Sequence, residues 1–200
     1  VAISLFLCAL SGGERRRRNP MLEQLKTERL ILRPLRAADA HPLAEIADNW
    51  NIARMLARLP HPYELSDAEE WIALQPERRA SGTEFCYGVT LDGALIGSCG
   101  ALNLDDGSYE LGYWVGEPWW NRGYATEAGR AVIAQTANTF GPDRIVAGHF
   151  ADNHASGRVL TKLGFRYTGE EKRWSLARNE HVHALRMVLK QEAKAGRNAA

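Results

Sequence analysis

Apolar residues along this chain change their period several times, and each change marks an element. Residues 28–35 (ERLILRPL) alternate Leu30, Leu32 and Leu35 with charged positions, the period of a half-buried strand that Pro34 brings to its end. Across 39–50 and 51–59 the spacing turns helical, with Leu43, Ile46 and Ala47, then Ile52, Met55, Leu56 and Leu59 on one side. Ser66-Asp67-Ala68-Glu69 has the form of a capping box, and Trp71 and Ile72 follow on a third helix. Period two returns over 84–91, 94–104 and 108–117, joined by the hairpin-turn sequences Asp92-Gly93 and Asp105-Asp106-Gly107. A helix is predicted over 125–140, with Ala125, Ala128, Val132, Ile133, Thr136, Ala137 and Phe140 on one face and Gly141-Pro142 as its stop. A strand (144–150), a short helix (155–163) closed by Gly164, and two strands (165–173 and 181–190) complete the pattern. Strand, helices, antiparallel meander, crossover helix and mixed remainder predict one α/β domain over 24–190, with no linker and no repeat.

The flanks read differently. Residues 1–10 (VAISLFLCAL) are apolar but about half the length needed to span a bilayer, and the arginines at 15–18 follow the apolar run, whereas a secretory signal carries its charge before it. Residues 1–23 are therefore expected to be a non-native or disordered extension, with Met21 as the natural start, and 191–200 a disordered tail. Lys and Arg number 25 against 24 Asp and Glu, so no global field draws the protein to nucleic acid, and the arginine run is the one feature that favours such a role. The three cysteines (Cys8, Cys86 and Cys99) are scattered and form no C-x-x-C, which excludes a disulfide scaffold and a zinc ribbon and fits a reducing cytoplasm. No membrane association is expected.

The chemistry concentrates in residues 109–127, YELGYWVGEPWWNRGYATE: a strand, a loop rich in Gly and Trp, then a helix N-terminus. Unpaired N–H groups and the positive end of the helix dipole make such a terminus an anion site. Gly123 lets backbone approach a ligand closely, Arg122 adds charge and Thr126 a hydroxyl; an ordinary turn glycine is the competing reading of Gly123. Neither G-x-x-x-x-G-K-[ST] nor G-x-G-x-x-G occurs, so NTPase and dinucleotide-binding readings fail. Gly97-Ser98-Cys99-Gly100 lies within a strand and is read as close backbone packing.

Trp120-Asn121-Arg122-Gly123-Tyr124-Ala125 resembles the pyrophosphate-binding motif Q/R-x-x-G-x-G/A of the GNAT acetyltransferases. GYWVGEPWWNRGYATEA and FADNHASGRVLTKLGF, with TERLILRPL and HPYELSDAEEWI, resemble the RimJ/RimL-like branch, the ribosomal-protein alanine N-acetyltransferases, over nearly all of 26–190. The resemblance implies a central, mixed, mostly antiparallel twisted sheet of six to seven strands flanked by helices. It also implies acetyl-CoA in a cleft where strand 108–117 splays from strand 144–150. Backbone amides of Arg122, Gly123, Tyr124, Ala125 and Thr126 would hold the pyrophosphate, and backbone groups of Trp114 and Val115 the pantetheine arm, one amide serving as oxyanion donor. Asn153 and Ser156 would face the pantetheine and thiol end.

An alkylamine is mostly protonated at pH 7, so its attack on a thioester needs a proton acceptor. Glu110, on the same strand face as Gly112 and Trp114, is the candidate, against the reading that it is an edge carboxylate paired with a lysine or arginine. The tyrosine that serves as general acid in many relatives falls at Leu160 here, which leaves Ser156 or a water for the thiolate. No metal is expected: His181 and His183 alternate on a strand without a third ligand, and Cys86 and Cys99 read as small buried hydrophobes. Trp50, His61, Tyr63 and Trp71 fall where the resemblance places the acceptor. The chain thus reads as a cytoplasmic transferase moving an acetyl group to a primary amine, a protein N-terminus or a small molecule, by direct attack in a ternary complex. A longer acyl-CoA and a non-catalytic acyl-CoA-binding or sensing module are the rivals, and the exposed end of the last strand is compatible with a homodimer.

Overall fold

Residues 21–190 are described by a computed structural model; the apolar run, the arginines at 15–18 and the stretch from 191 onward lie outside the described residues. Their strands are β1 (Leu25–Lys26), β2 (Leu30–Arg33), β3 (Glu84–Leu91), β4 (Ala94–Asn103), β5 (Tyr109–Val115), β6 (Ile145–Phe150), β7 (Phe165–Ser175) and β8 (Glu180–Leu189). They form one sheet in the order β1-β2-β3-β4-β5-β6-β8-β7. Every neighbouring pair is antiparallel except β5 and β6, which run parallel through α4 (Tyr124–Phe140) as crossover. The other helices are α1 (Ala40–Ala47), α2 (Trp50–Ala53), α3 (Leu65–Ser81) and α5 (His154–Lys162).

Period two along the strands sorts their side chains between two apolar clusters. Tyr109, Leu111 and Val115 of β5 join Val132 and Ala128 of α4 and Leu160 of α5 in the larger cluster. Trp114 joins the smaller one, where Leu43 and Ala47 of α1 pack with Ala68 and Ile72 of α3. The β3–β4 hairpin turns on Asp92 (φ 50°) and Gly93 (φ 86°), two consecutive left-handed residues of the kind that Asp-Gly supplies. None of the helices among the described residues is long and apolar enough to cross a membrane.

The structure departs from the pattern in four places. The strands number eight, because Leu25 and Lys26 add a short edge against Leu32 and Ile31. Met21 and Leu22, ahead of the expected boundary at 24, belong to the packed domain: Met21 is buried in the larger cluster and the Tyr87 hydroxyl donates to the Leu22 carbonyl at 2.7 Å. The helix expected over 51–59 ends at Ala53, and the Ala57 carbonyl accepts instead from the Leu176 N–H of the distant β7–β8 turn. Helix α3 starts at Leu65, one residue before the proposed box, with Asp67 accepting from the Glu64 N–H at 2.9 Å.

Gly97 and Gly100 are explained by close backbone approach. A Cβ on Gly97 would lie 2.3 Å from the Trp114 carbonyl oxygen and 2.9 Å from the Val115 Cα, neither of which can swing aside. Gly97→Ala is expected to cost about 2 kcal/mol or more in urea unfolding. Gly112→Ala, with nothing within 4 Å of the added Cβ, should cost less than about 0.5 kcal/mol in the same measurement.

Candidate functional site

Strands β5 and β6 pair only at Tyr109 with Ile145 and Glu110 with Val146, and part beyond those positions. The direction of the β5 peptide groups follows from two hydrogen bonds to its other neighbour. Leu104 N–H donates to the Ser108 carbonyl and Gly116 N–H to the Ile96 carbonyl, so even-numbered residues turn their peptides toward β4. Trp114 is therefore turned to β4, where it pairs with Ser98, whereas the resemblance implied that its backbone groups meet the cleft. Tyr113 and Val115 turn theirs to the opening. The Val115 carbonyl accepts from the Trp120 indole N–H at 2.6 Å, which fixes the tryptophan under the following loop and leaves the Val115 N–H as the group directed at the cleft.

That loop reaches α4 through two left-handed residues, Asn121 (φ 61°) and Gly123 (φ 81°), on either side of Arg122. Gly123 is the N-cap residue and no side chain caps the helix, so the first-turn amides of Tyr124, Ala125 and Thr126 meet no capping group. The first turn is instead gripped from behind. Glu127 accepts from the Thr27 hydroxyl (2.5 Å), the Arg29 N–H (2.9 Å) and the Arg29 guanidinium (2.7 Å), while the same guanidinium donates to the Arg122 carbonyl (3.0 Å) and covers the Tyr124 ring. Burial pushes the Glu127 carboxyl up, but these donors outweigh it and hold the group below its ordinary value.

Across the opening, Asn153 caps α5 by accepting from the Ser156 N–H at 3.0 Å. The Ser156 hydroxyl lies 2.8 Å from the Tyr113 hydroxyl, joining α5 to β5 where the strands have parted. Burial pushes the Tyr113 phenol well above the usual range, so this hydroxyl stays protonated. Leu160 is buried in the larger cluster, one turn from Ser156, and that position carries packing alone.

On the opposite face, the missing side chain of Gly112 leaves open space between Glu110 and Trp114. Glu110 is half-buried and one of its oxygens accepts from Arg173 of β7, whose Nε donates to Glu171. Glu110 is thus paired with an arginine through one oxygen, and the second oxygen has no hydrogen bond among the described residues. Farther out, Trp50, Arg54, Arg178 and Glu180 line an open cavity of about 400 Å³. Arg178 donates to the Arg54 carbonyl (2.6 Å) and pairs with Asp152 (2.8 Å) over the Phe150 ring, fastening the β7–β8 turn to this rim. Trp50 and His61 face one another at 5.4 Å, whereas Tyr63 and Trp71 belong to the smaller cluster.

Among the described residues no three His, Cys, Asp or Glu side chains are grouped to hold a metal; His183 pairs with Glu170 and His181 meets the Trp174 ring edge to face. Burial raises the Cys86 thiol to about 12 and Cys99 higher still, so neither is a thiolate. Sequence reasoning missed Arg29, Tyr113 and Arg173. A glycine inside β6, Gly148, is the one local signal that another group approaches closely there.

A family model described as "Acetyltransferase (GNAT) domain" matches residues 29–166. An uncharacterized N-acetyltransferase of Bacillus subtilis, YoaA, is 31% identical over 155 residues, covering 74% of this chain and 86% of that protein. The ribosomal protein uS5-alanine N-acetyltransferase of Escherichia coli is 29% identical over 162 residues, covering 76% and 83%. Mycobacterium smegmatis RimJ, solved in complex with CoA-disulfide, superposes with a TM-score of 0.69 at 22% identity over 80% of this chain and 81% of that one.

The Glu127 clamp yields a pH test. A carboxyl held below its ordinary value contributes stability that is present above about pH 4.5 and lost as pH falls through the lower folded value. Glu127→Gln should cost about 1–2 kcal/mol in urea unfolding at pH 7. The deficit should shrink progressively as pH falls below about 4.5.

Proposed function

This chain belongs to the GNAT acetyltransferase family, and from that premise we propose that it carries acetyl-CoA in the opening between β5 and β6 and transfers the acetyl group to a primary amine. One observation carries this reading: an uncapped helix N-terminus, entered through left-handed Gly123, sits directly after the strand whose outward peptide groups have lost their neighbour. Helix-terminal amides of Tyr124, Ala125 and Thr126, with Gly123 and the Arg122 backbone, suit a pyrophosphate. The amide-lined edge of Tyr113 and Val115 suits the pantetheine arm, as a strand added beside β5.

In this reading the amine approaches over Gly112, on the face that Glu110 and Trp114 share. Glu110 takes the ammonium proton, the nitrogen lone pair attacks the thioester carbonyl carbon, and the Val115 N–H faces the charge that gathers on the carbonyl oxygen. As the C–S bond breaks, the Ser156 hydroxyl, 2.8 Å from the Tyr113 hydroxyl, gives its proton to the sulfur, and the second proton of the former amine nitrogen passes through water to Ser156, leaving a neutral amide and a free thiol. Asn153 holds Ser156 in place. The order is direct attack within a ternary complex, since the buried Cys86 and Cys99 thiols offer no nucleophile.

For the acceptor, the E. coli relative named for uS5 alanine supports a protein N-terminus, and the open cavity at Trp50, Arg54, Arg178 and Glu180 has room for either a peptide end or a small amine. Cytoplasmic residence belongs to the same reading, supported by the unpaired Cys86 and Cys99. The last strand, β8, lies between β6 and β7 rather than at an exposed edge, so a homodimer would use the edge of β7, which pairs on one side only among the described residues.

Calorimetric titration of acetyl-CoA is expected to show micromolar binding that the double variant Arg122→Glu, Gly123→Asp abolishes; absence of binding by the wild type overturns the assignment. In a thiol-release assay against an N-terminal-alanine peptide, free amino acids and polyamines, Glu110→Gln should lower kcat about a hundredfold without changing acetyl-CoA affinity. An unchanged rate would remove Glu110 from the chemistry.

A further inference from the structure

We infer that Arg173 is the positioning residue for Glu110, reaching from β7 over Gly148 of β6 to hold one carboxylate oxygen and leave the other to take the amine proton. The inference rests on the reading of Glu110 as base. Its step is the one given above: the ammonium N–H bond breaks to Glu110 Oε2, the C–N bond forms, and the C–S bond pair leaves on sulfur.

Three observations carry it. Arg173 Nη1 donates to Glu110 Oε1 across 63 residues of sequence, and Oε2 has no other donor among the described residues. The guanidinium passes close over β6 at Gly148, which has no side chain: a Cβ there would stand 3.2 Å from Nη2 and 3.3 Å from Cζ. Its charge is shared, since Nε donates to Glu171 and Glu171 in turn lies 3.8 Å from Arg186 of β8, so Glu110 is oriented by a cation that a second carboxylate already balances. Glu84 occupies the same cross-strand row two strands away, opposite Leu102, which itself pairs with Glu110. Both of its oxygens are taken, by Arg78 at 2.7 Å and Arg58 at 4.0 Å. A merely structural arginine would tie β7 to β5 equally well, and the test separates the two roles.

Turnover is measured with whichever acceptor of the panel above reacts fastest. Arg173→Met should lower kcat about tenfold or more while the acetyl-CoA KM stays within about twofold, and Arg173→Lys should recover part of the loss. In a Glu110→Gln background Arg173→Met should change kcat by less than about twofold, because the group it positions is already gone. An equal loss in both backgrounds, or no loss in either, overturns the inference. Carbon-13 NMR of the labelled glutamate carboxylates reads the contact without any acceptor: the Glu110 signal should move in Arg173→Lys and in Gly148→Ala, where both charges remain. A signal unmoved in both variants overturns it. If Glu110→Gln alone leaves kcat intact while the NMR signal does move, the base reading has failed and the Arg173 contact has not.

Discussion

Backbone N–H and C=O groups inside a protein need partners, and a sheet whose neighbouring strands β5 and β6 separate after two residue pairs leaves a row of them without a neighbouring strand. Everything else in the site is arranged around that gap. It exists because β5 and β6 are parallel, so the chain must leave β5, cross through α4 and return, and the crossover delivers a helix N-terminus to the mouth of the opening. A strand edge that wants a partner and a helix end that wants an anion are thereby produced by one topological choice.

The two faces of the sheet divide the labour. Helices α4 and α5 close one face and supply the uncapped turn and the Tyr113–Ser156 hydroxyl pair. The other face, under α1 and α3, presents Glu110, the open space above Gly112 and the rim at Trp50. Because side chains alternate along β5, a single strand offers a carboxylate to one ligand and peptide groups to another without either interfering. Grip on the helix end comes from outside the loop itself: Thr27 and Arg29, at the turn into β2, hold Glu127, so the amides beyond Gly123 remain undistracted by an internal cap.

Features with a local cause were legible in the sequence. Strands β3, β4 and β5 fall within about two residues of their predicted bounds, because alternation and Asp-Gly or Gly turns specify them nearby. The start of α4 follows from Gly123, and Gly97 and Gly100 were correctly read as close approach. What escaped depends on register or on distant partners. Whether Trp114 or Tyr113 turns its peptide to the opening is a matter of parity, set by Ser108, just ahead of β5, lying opposite Leu104. The helical spacing at 51–59 was genuine, but Ala57 is captured by Leu176, more than a hundred residues away. Arg173 sits in a strand full of charges, and nothing near it in sequence distinguishes the one that meets Glu110.

The single guanidinium of Arg178 touches three chain segments at once: the end of α2 through the Arg54 carbonyl, the β6–α5 loop through Asp152, and its own hairpin turn. These walls consequently share one keystone. They are hinged together, so one wall does not shift without the others. The loop at Gly123 and the sheet face at Glu110 lie outside this assembly. In the proposed reading, selectivity and chemistry are therefore mechanically separable, and the former can drift by changes at the hairpin tip while the latter stands still.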